Sequence, residues 1–511
     1  MTNVPTPGRA TTDSDGSLDQ EPWWRRLDWL GVCLLVFVLA FLVRLIPVLQ
    51  GGGIGGFYNY DPAVYFAGSV GLAHGLMPYR DFLMLHPPGV MVGLLPYAEL
   101  SRVIGESAAM KAARLTTMAL GATTAALVSL SLRRLGKIAM LVGGLAYAAY
   151  WPAVYSERAT WLEGYGSFLT VAAMALVLSA PAQGDATRRG WVRWALVGAL
   201  LALACSVKIW SVVALLPVLG FLWFSRGLRT ALIAGAGAAA AGLAMLLPFL
   251  VALPQMWQMV VSDQLGRARG ASDTLFMRLD GLSGLNVEWS GSVTPQAWLA
   301  LAVIALLTAA SLWSATGRFA GLVSGATLLL LLTAPTWFRH YPGLIAGSLC
   351  LGLGAGVSVV VHLLRARWQQ LVAAVIPLAL ILTSGGFQLT EQVGTRFDGH
   401  KLKVLATEHP GCVTTDDPNS LIASNLLGAN IQRGCPFVVD LSGYRYHLGG
   451  RETFLKNEAW QAFVRDYLGQ GSLVILLRGT SKARYTPETA SIVFGWPVVG
   501  TVSERKVRQP D

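Results

Sequence analysis

Charge is what this chain has least of. Only 13% of its 511 residues are Asp, Glu, Lys or Arg, where a soluble domain carries about a quarter. That excludes an ordinary soluble globular protein. Acids are scarcer than bases, 28 against 39, giving a net charge of +11. No basic module interleaved with aromatics is present, so nucleic acid is not the partner. Neither His-x-x-x-His nor paired Cys-x-x-Cys occurs, and there is no P-loop. No internal repeat is visible, which speaks against a paired-repeat transporter. Met1–Gln20 has no basic region with a nearby cleavage site and reads as a polar tail, not a signal peptide.

Apolar residues make up 54% of the chain. Runs of roughly 18 or more recur through its first three quarters, enough to cross a ~30 Å hydrocarbon layer. The runs predict about eleven membrane helices, near 30–49, 115–132, 138–155, 165–180, 192–207, 209–224, 230–253, 297–313, 319–335, 342–364 and 371–386. The segment 90–104 is shorter and carries Pro96 and Glu99, so it reads as an interfacial helix. That choice places Arg133–Arg134, Arg188–Arg189, Arg226, Arg318 and Arg365 on the side of Arg25–Arg26. This is the cytoplasmic side by the positive-inside rule. Residues 51–111 then form the first extracytoplasmic loop, and the C-terminus is also outside.

The expected organisation has three parts: a disordered cytoplasmic tail (1–28), a membrane domain (29–388) and a small extracytoplasmic α/β domain (389–511). Within the last, 436–440 and 472–477 read as buried strands, and 420–432 and 458–468 as helices. Thr415-Asp416-Asp417-Pro418 reads as a helix-start turn. Cys33, Cys205 and Cys350 lie in apolar runs and act as small hydrophobes. Cys412 and Cys435 lie in the polar region, where an oxidising compartment would let them pair.

One stretch differs from the rest. Tyr58-Asn59-Tyr60-Asp61-Pro62 follows the first apolar run. Pro78-Tyr79-Arg80-Asp81 and His86-Pro87-Pro88-Gly89 come next. In order along the chain, Asp61 in the first outer loop, the Pro-Pro turn, Arg133-Arg134-Leu135-Gly136, Arg158 to Glu163, Val207-Lys208 and Arg339-His340-Tyr341-Pro342 resemble the GT-C superfamily of integral-membrane glycosyltransferases. The resemblance is to the branch that includes the bacterial aminoarabinose transferase and the protein O-mannosyltransferases, and it covers roughly residues 30–386. Many relatives carry a second acid after the catalytic aspartate. Here Pro62 stands there.

The resemblance implies transfer of a sugar, hexose or pentose, from a polyprenyl-phosphate donor to an acceptor hydroxyl outside the plasma (inner) membrane. The acceptor would be an envelope glycan, lipid or protein. Asp61 would be the catalytic base. Lys208, Arg339, Arg267 and Arg269 would bind the donor phosphate. Tyr60, His86, Glu163 and His340 would contact sugar or acceptor. Glu163 also reads as a metal ligand or as a partner of Arg158, and Arg44 as a side chain reaching to the headgroups. No cofactor is firmly implied; a divalent cation stays open. A lipid-linked-sugar flippase and a non-catalytic envelope scaffold are the competing classes.

Overall fold

A computed structural model describes residues 23–181, 188–267, 274–285, 293–449, 452–477 and 481–510. The expected tail lies mostly outside these residues, but its end is helical. The first helix, α1, runs Trp23–Gln50. Two shorter helices follow, α2 (Asp61–Ala73) and α3 (Gly89–Ile104). The long helices α4 (Glu106–Ser131), α5 (Lys137–Ala149), α6 (Trp151–Glu157), α7 (Leu162–Ser179), α8 (Arg188–Val207), α9 (Val212–Arg226) and α10 (Leu228–Leu246) come next, α6 being a short bent continuation of α5. Then come α11 (Pro295–Ser311), α12 (Ala315–Thr333), α13 (Gly343–Leu363) and α14 (Arg367–Leu389).

Among the described residues nine helices are long and apolar enough to span a membrane, or ten if α5 and α6 count as one. The expected crossing at 297–313, α11, is apolar but only 17 residues long. The helix α3 is not among the spanning candidates. Gly105 ends it at φ 85°, a conformation that favours glycine, and α4 starts directly after.

The stretch 138–155 is not one straight helix. It bends by 58° between α5 and α6. Tyr150 is extended there, and Pro152 sits in the first turn of α6. The freed Trp151 N–H donates to Gly284 O at 2.8 Å.

The bend carries Glu157 into the interior against Arg44. Arg44 is fully buried and does not reach the headgroups. Its Nε donates to Glu157 Oε2 at 2.7 Å, and Tyr147 donates to Oε1 at 2.6 Å. Gly121 lies against the pair, where a Cβ would overlap both side chains.

The C-terminal region is α/β, with a small four-stranded sheet ordered β1-β2-β4-β3. β1 (Val413–Thr415) runs parallel to β2 (Leu473–Ile475); β4 (Arg505–Arg508) pairs antiparallel with both β2 and β3 (Val498–Val502). Residues 436–440 are outside any ladder, which corrects the expected strand. The strand at 472–477 is confined to three residues. The expected helix at 458–468 is present as Glu458–Gly469.

The expected helix at 420–432 is two, Asn419–Ala423 and Leu427–Gln432, broken where Asn425 adopts φ 54°. The break has a use. Asn425 Oδ1 accepts from Ser107 N at the start of α4, and Glu106 Oε1 accepts from Gly428 N, both at 2.9 Å. Two helix starts from distant parts of the chain thus satisfy each other's free N–H groups. Asp417 Oδ1 accepts from Asn419 N at 2.9 Å, a helix-start contact, while Asp416 Oδ1 accepts from Leu477 N at 2.7 Å. Cys412 and Cys435 are disulfide-bonded.

One hydrophobic core lies among the membrane helices. A second joins α2 and α3 to the C-terminal region: Phe66, Leu83 and Met91 pack in the same cluster as Leu402, Leu426 and Ile475.

Glu157→Ala should lower stability by about 3–5 kcal/mol, because Arg44 is left buried without its partner. Arg44→Met with Glu157→Ala should recover part of that loss. Thermal unfolding in detergent checks both; equal or additive losses would contradict the coupling.

Candidate active site

Asp61 is the first residue of α2, followed by Pro62. The helix N-terminus favours its charged form. The residues before it are held from several sides. Phe57 and Thr395 exchange backbone hydrogen bonds at 2.9 and 3.0 Å. Asn59 O accepts from Asn419 Nδ2 at 3.0 Å, and Asn59 Oδ1 accepts from Tyr155 OH at 2.9 Å. Tyr60 OH donates to Asp440 Oδ1 at 2.9 Å and accepts from Ser442 N at 3.3 Å. Thr395, Asn419, Asp440 and Ser442 all belong to the C-terminal region.

Two chambers meet at Asp61. The larger, about 790 Å³, is lined by Arg339, Trp161 and Tyr155 from the membrane domain and by Arg396, Asn419 and Arg505 from the C-terminal region, among others. The smaller, about 190 Å³, is lined by His86, Lys208, Arg267 and Arg484, with Tyr446 and Trp210. Asp61, Tyr60, Phe338 and His340 line both. A carboxylate therefore stands where two chambers meet, each lined by three Lys or Arg side chains.

Lys208 sits between α8 and the short helix leading into α9. Its Nζ is hydrogen-bonded to Glu163 Oε1 and lies 4.1 Å from the Tyr341 ring centre. Burial lowers its pKa, while Glu163 and Asp61 act in the opposite direction. Glu163 is paired with Lys208, not with Arg158; it is buried and lines neither chamber. Arg158 pairs with Glu391 at 2.5 Å. His340 Nε2 lies 3.6 Å from Glu163 Oε1, and its ring lies 4.0 Å from that of Trp161. Arg267 lies over Tyr446, 4.2 Å from the ring centre. Tyr65 is pushed well above its ordinary pKa, by burial first and then by Asp61.

His86 and His340 are both held well below the ordinary histidine pKa. Burial is the larger cause, and the charge of Lys208 adds to it in each case. Both imidazoles are therefore neutral near pH 7.

The structure gathers Asp61, Tyr60, His86, Lys208, Arg267 and His340 at the small chamber. Arg339 lines only the larger one, apart from Lys208 and Arg267. Arg269 lies outside the described residues. Arg484, Asp440, Tyr446 and Asn419 were not foreseen. They lie more than 350 residues from Asp61, and no local pattern announces them. Among the described residues no three His, Cys, Asp or Glu side chains gather in a metal-binding group.

No protein-family model matches the sequence, and no curated protein does. Solved structures do. The oligosaccharyltransferase of Archaeoglobus fulgidus in its apo form superposes with TM-score 0.61 at 12% identity, covering 89% of this chain and 70% of that one. ArnT from Cupriavidus metallidurans bound to undecaprenyl phosphate gives 0.57 at 13%, covering 95% and 98%. The chain has the GT-C fold. At these identities the likeness is one of fold. A third structure, the archaeal oligosaccharyltransferase AglB from A. fulgidus with an inhibitory peptide and a dolichol-phosphate, gives 0.58 at 12%, covering 89% and 70%.

Two outcomes test the site. Asp440→Ala should lower the melting temperature, because Tyr60 and the approach to Asp61 lose an anchor; Asp440→Asn, which keeps an acceptor oxygen, should restore most of it. Equal behaviour of the two variants would refute the role.

The histidines set a pH dependence. Their folded pKa lies below the unfolded value of 6.5. The folded state therefore binds fewer protons, and stability is lost as pH falls through that value. The melting temperature should fall between about pH 7 and about pH 5, and less so in a His86→Gln/His340→Gln variant. An unchanged slope in that variant would show that other groups dominate.

Proposed function

We propose that this protein is a glycosyltransferase that moves a sugar from a polyprenyl-phosphate donor to an acceptor hydroxyl, with Asp61 as general base. The observation that carries the reading is the position of Asp61, at the junction of the two chambers. The smaller chamber receives the donor phosphate and its sugar. The larger one receives the acceptor. The fold supports the choice of donor: ArnT, of the same fold, was solved with undecaprenyl phosphate bound.

The chemistry follows from the arrangement. The acceptor oxygen bonds to the anomeric carbon as its proton passes to an Asp61 oxygen. The bond from that carbon to the phosphate oxygen breaks, and its electron pair stays on the phosphate. Lys208, Arg267 and Arg484 face the chamber where that charge develops, and fixed cations stabilise it without reorganising. His86 and His340, being neutral, add no charge. Arg339, on the acceptor side, has no part in this phosphate set.

The positive-inside rule supports a cytoplasmic N-terminus, which would put both chambers and the C-terminal region outside the plasma (inner) membrane.

Asp61→Asn should lower turnover about 10²–10⁴-fold while leaving the melting temperature unchanged. The assay is consumption of a polyprenyl-phosphate sugar by the purified protein in detergent. A flippase or scaffold would not need the base, so near-normal turnover of the variant would refute this reading.

A further inference from the structure

The lining of the larger chamber is unusual in kind. Seven of its nineteen residues are Phe, Tyr or Trp, against 10% of the chain as a whole. The one aliphatic among them is Leu477. A site for a lipid tail or a generic apolar ligand would be walled with Leu, Ile and Val. Here the apolar surface is almost entirely flat ring.

The rings form two groups. On the membrane-domain side Tyr155 lies 6.0 Å from Trp161, Trp161 lies 4.0 Å from His340 with the rings tilted by 30°, and His340 lies nearly parallel to Phe338 at 5.6 Å. Phe57 stacks on Phe397 at 4.5 Å, joining the Asp61 loop to the C-terminal region. Between them stand amides, guanidinium groups and carboxylates, including Asn59, Asn419, Arg396, Asp417 and Glu504.

The C-terminal region contributes turns to this wall. Asp417 and Asn419 come from a helix start, and Ser503 and Glu504 from the tip of the β3–β4 hairpin. The tip residues have φ 43° and 66°. A two-residue turn of this sort normally uses Asn-Gly. Keeping Ser and Glu there costs strain, and their side chains line the chamber. Ser503 Oγ also accepts from Asp398 N at 2.9 Å. The lining takes one residue, Arg505, from the end of a strand, and no run along a strand edge.

We propose that the acceptor is a saccharide, whose ring C–H faces stack on these aromatics while its hydroxyls meet the polar groups between them. This rests on the transferase reading above and names its acceptor class. The acceptor hydroxyl that Asp61 deprotonates is then a sugar hydroxyl. The saccharide could belong to a free polysaccharide or to a glycolipid headgroup; both present the same chemistry to the chamber.

The full-length protein, purified in detergent, is given the polyprenyl-phosphate sugars extracted from cells grown on radiolabelled glucose. Three acceptor fractions are offered: envelope polysaccharide, glycolipid and envelope protein. Label should enter polysaccharide or glycolipid, in a form that protease does not release. Solvent partition tells the two sources apart. Phe397→Ala should raise the acceptor KM roughly tenfold with the donor KM unchanged, and Tyr155→Phe, a milder change, should raise it less. Label that protease releases as glycopeptide would overturn the saccharide assignment and leave the transferase standing. Absence of any Asp61-dependent donor consumption would instead overturn the transferase reading itself.

Discussion

Ions buried in an apolar bundle need partners, and the segment from Trp151 to Glu163 supplies one side of three buried or part-buried ion pairs. Glu157 meets Arg44 of the first helix. Arg158 meets Glu391 just past the last membrane helix, and Trp151 Nε1 donates to that same carboxylate at 3.2 Å. Glu163 meets Lys208. Tyr155 holds Asn59, and Trp161 lies against His340. A buried charge without a partner costs several kcal/mol. Each pair therefore fixes the position of one helix or loop relative to this segment. The bend between α5 and α6 is what lets thirteen consecutive residues reach so many partners.

The site inherits its geometry from this hub. Tyr155 and Trp161 face the larger chamber directly, while Glu163 acts behind the smaller one by holding Lys208. The pair gives Lys208 a defined place without exposing Glu163 to either chamber. A lysine held this way presents a positioned charge to the smaller chamber. The neutral state of His86 and His340 belongs to the same arrangement. Beside Lys208 and inside a buried site, a second cation on either ring would be unfavourable.

Much of the fold was legible in the sequence, and much of the site was not. Apolar runs long enough to cross a bilayer placed every major helix, because hydrocarbon forces each crossing to be apolar over its length. Asp61, Lys208 and His340 were visible since each is a polar residue beside an apolar run. The bend at Tyr150 was missed: Pro152 suits a first helical turn as well as a kink, and periodicity does not choose. The pairings of Arg44, Arg158 and Glu163 were misread for a related reason. Pairing depends on which helix ends meet in space. Glu391 is 233 residues from Arg158, and no local spacing links them. In the C-terminal region, 436–440 had the composition of a buried strand but lies beside no partner strand. Composition reports burial, and a ladder needs a neighbour as well.

The C-terminal region is better understood as part of the site than as a cover laid over it. Leu402, Leu426 and Ile475 share a hydrophobic core with Phe66 and Met91 of α2 and α3. Asn425 and Glu106 cap each other's helices across the same boundary. Asn419 and Asp440 grip the two residues before Asp61. The groups that line the larger chamber and the groups that hold the carboxylate therefore belong to one packed unit. Any shift of that unit that reshapes the wider chamber also moves the anchors of Asn59 and Tyr60. The shape of the larger chamber and the placement of Asp61 are coupled by the packing, with no separate signalling element required.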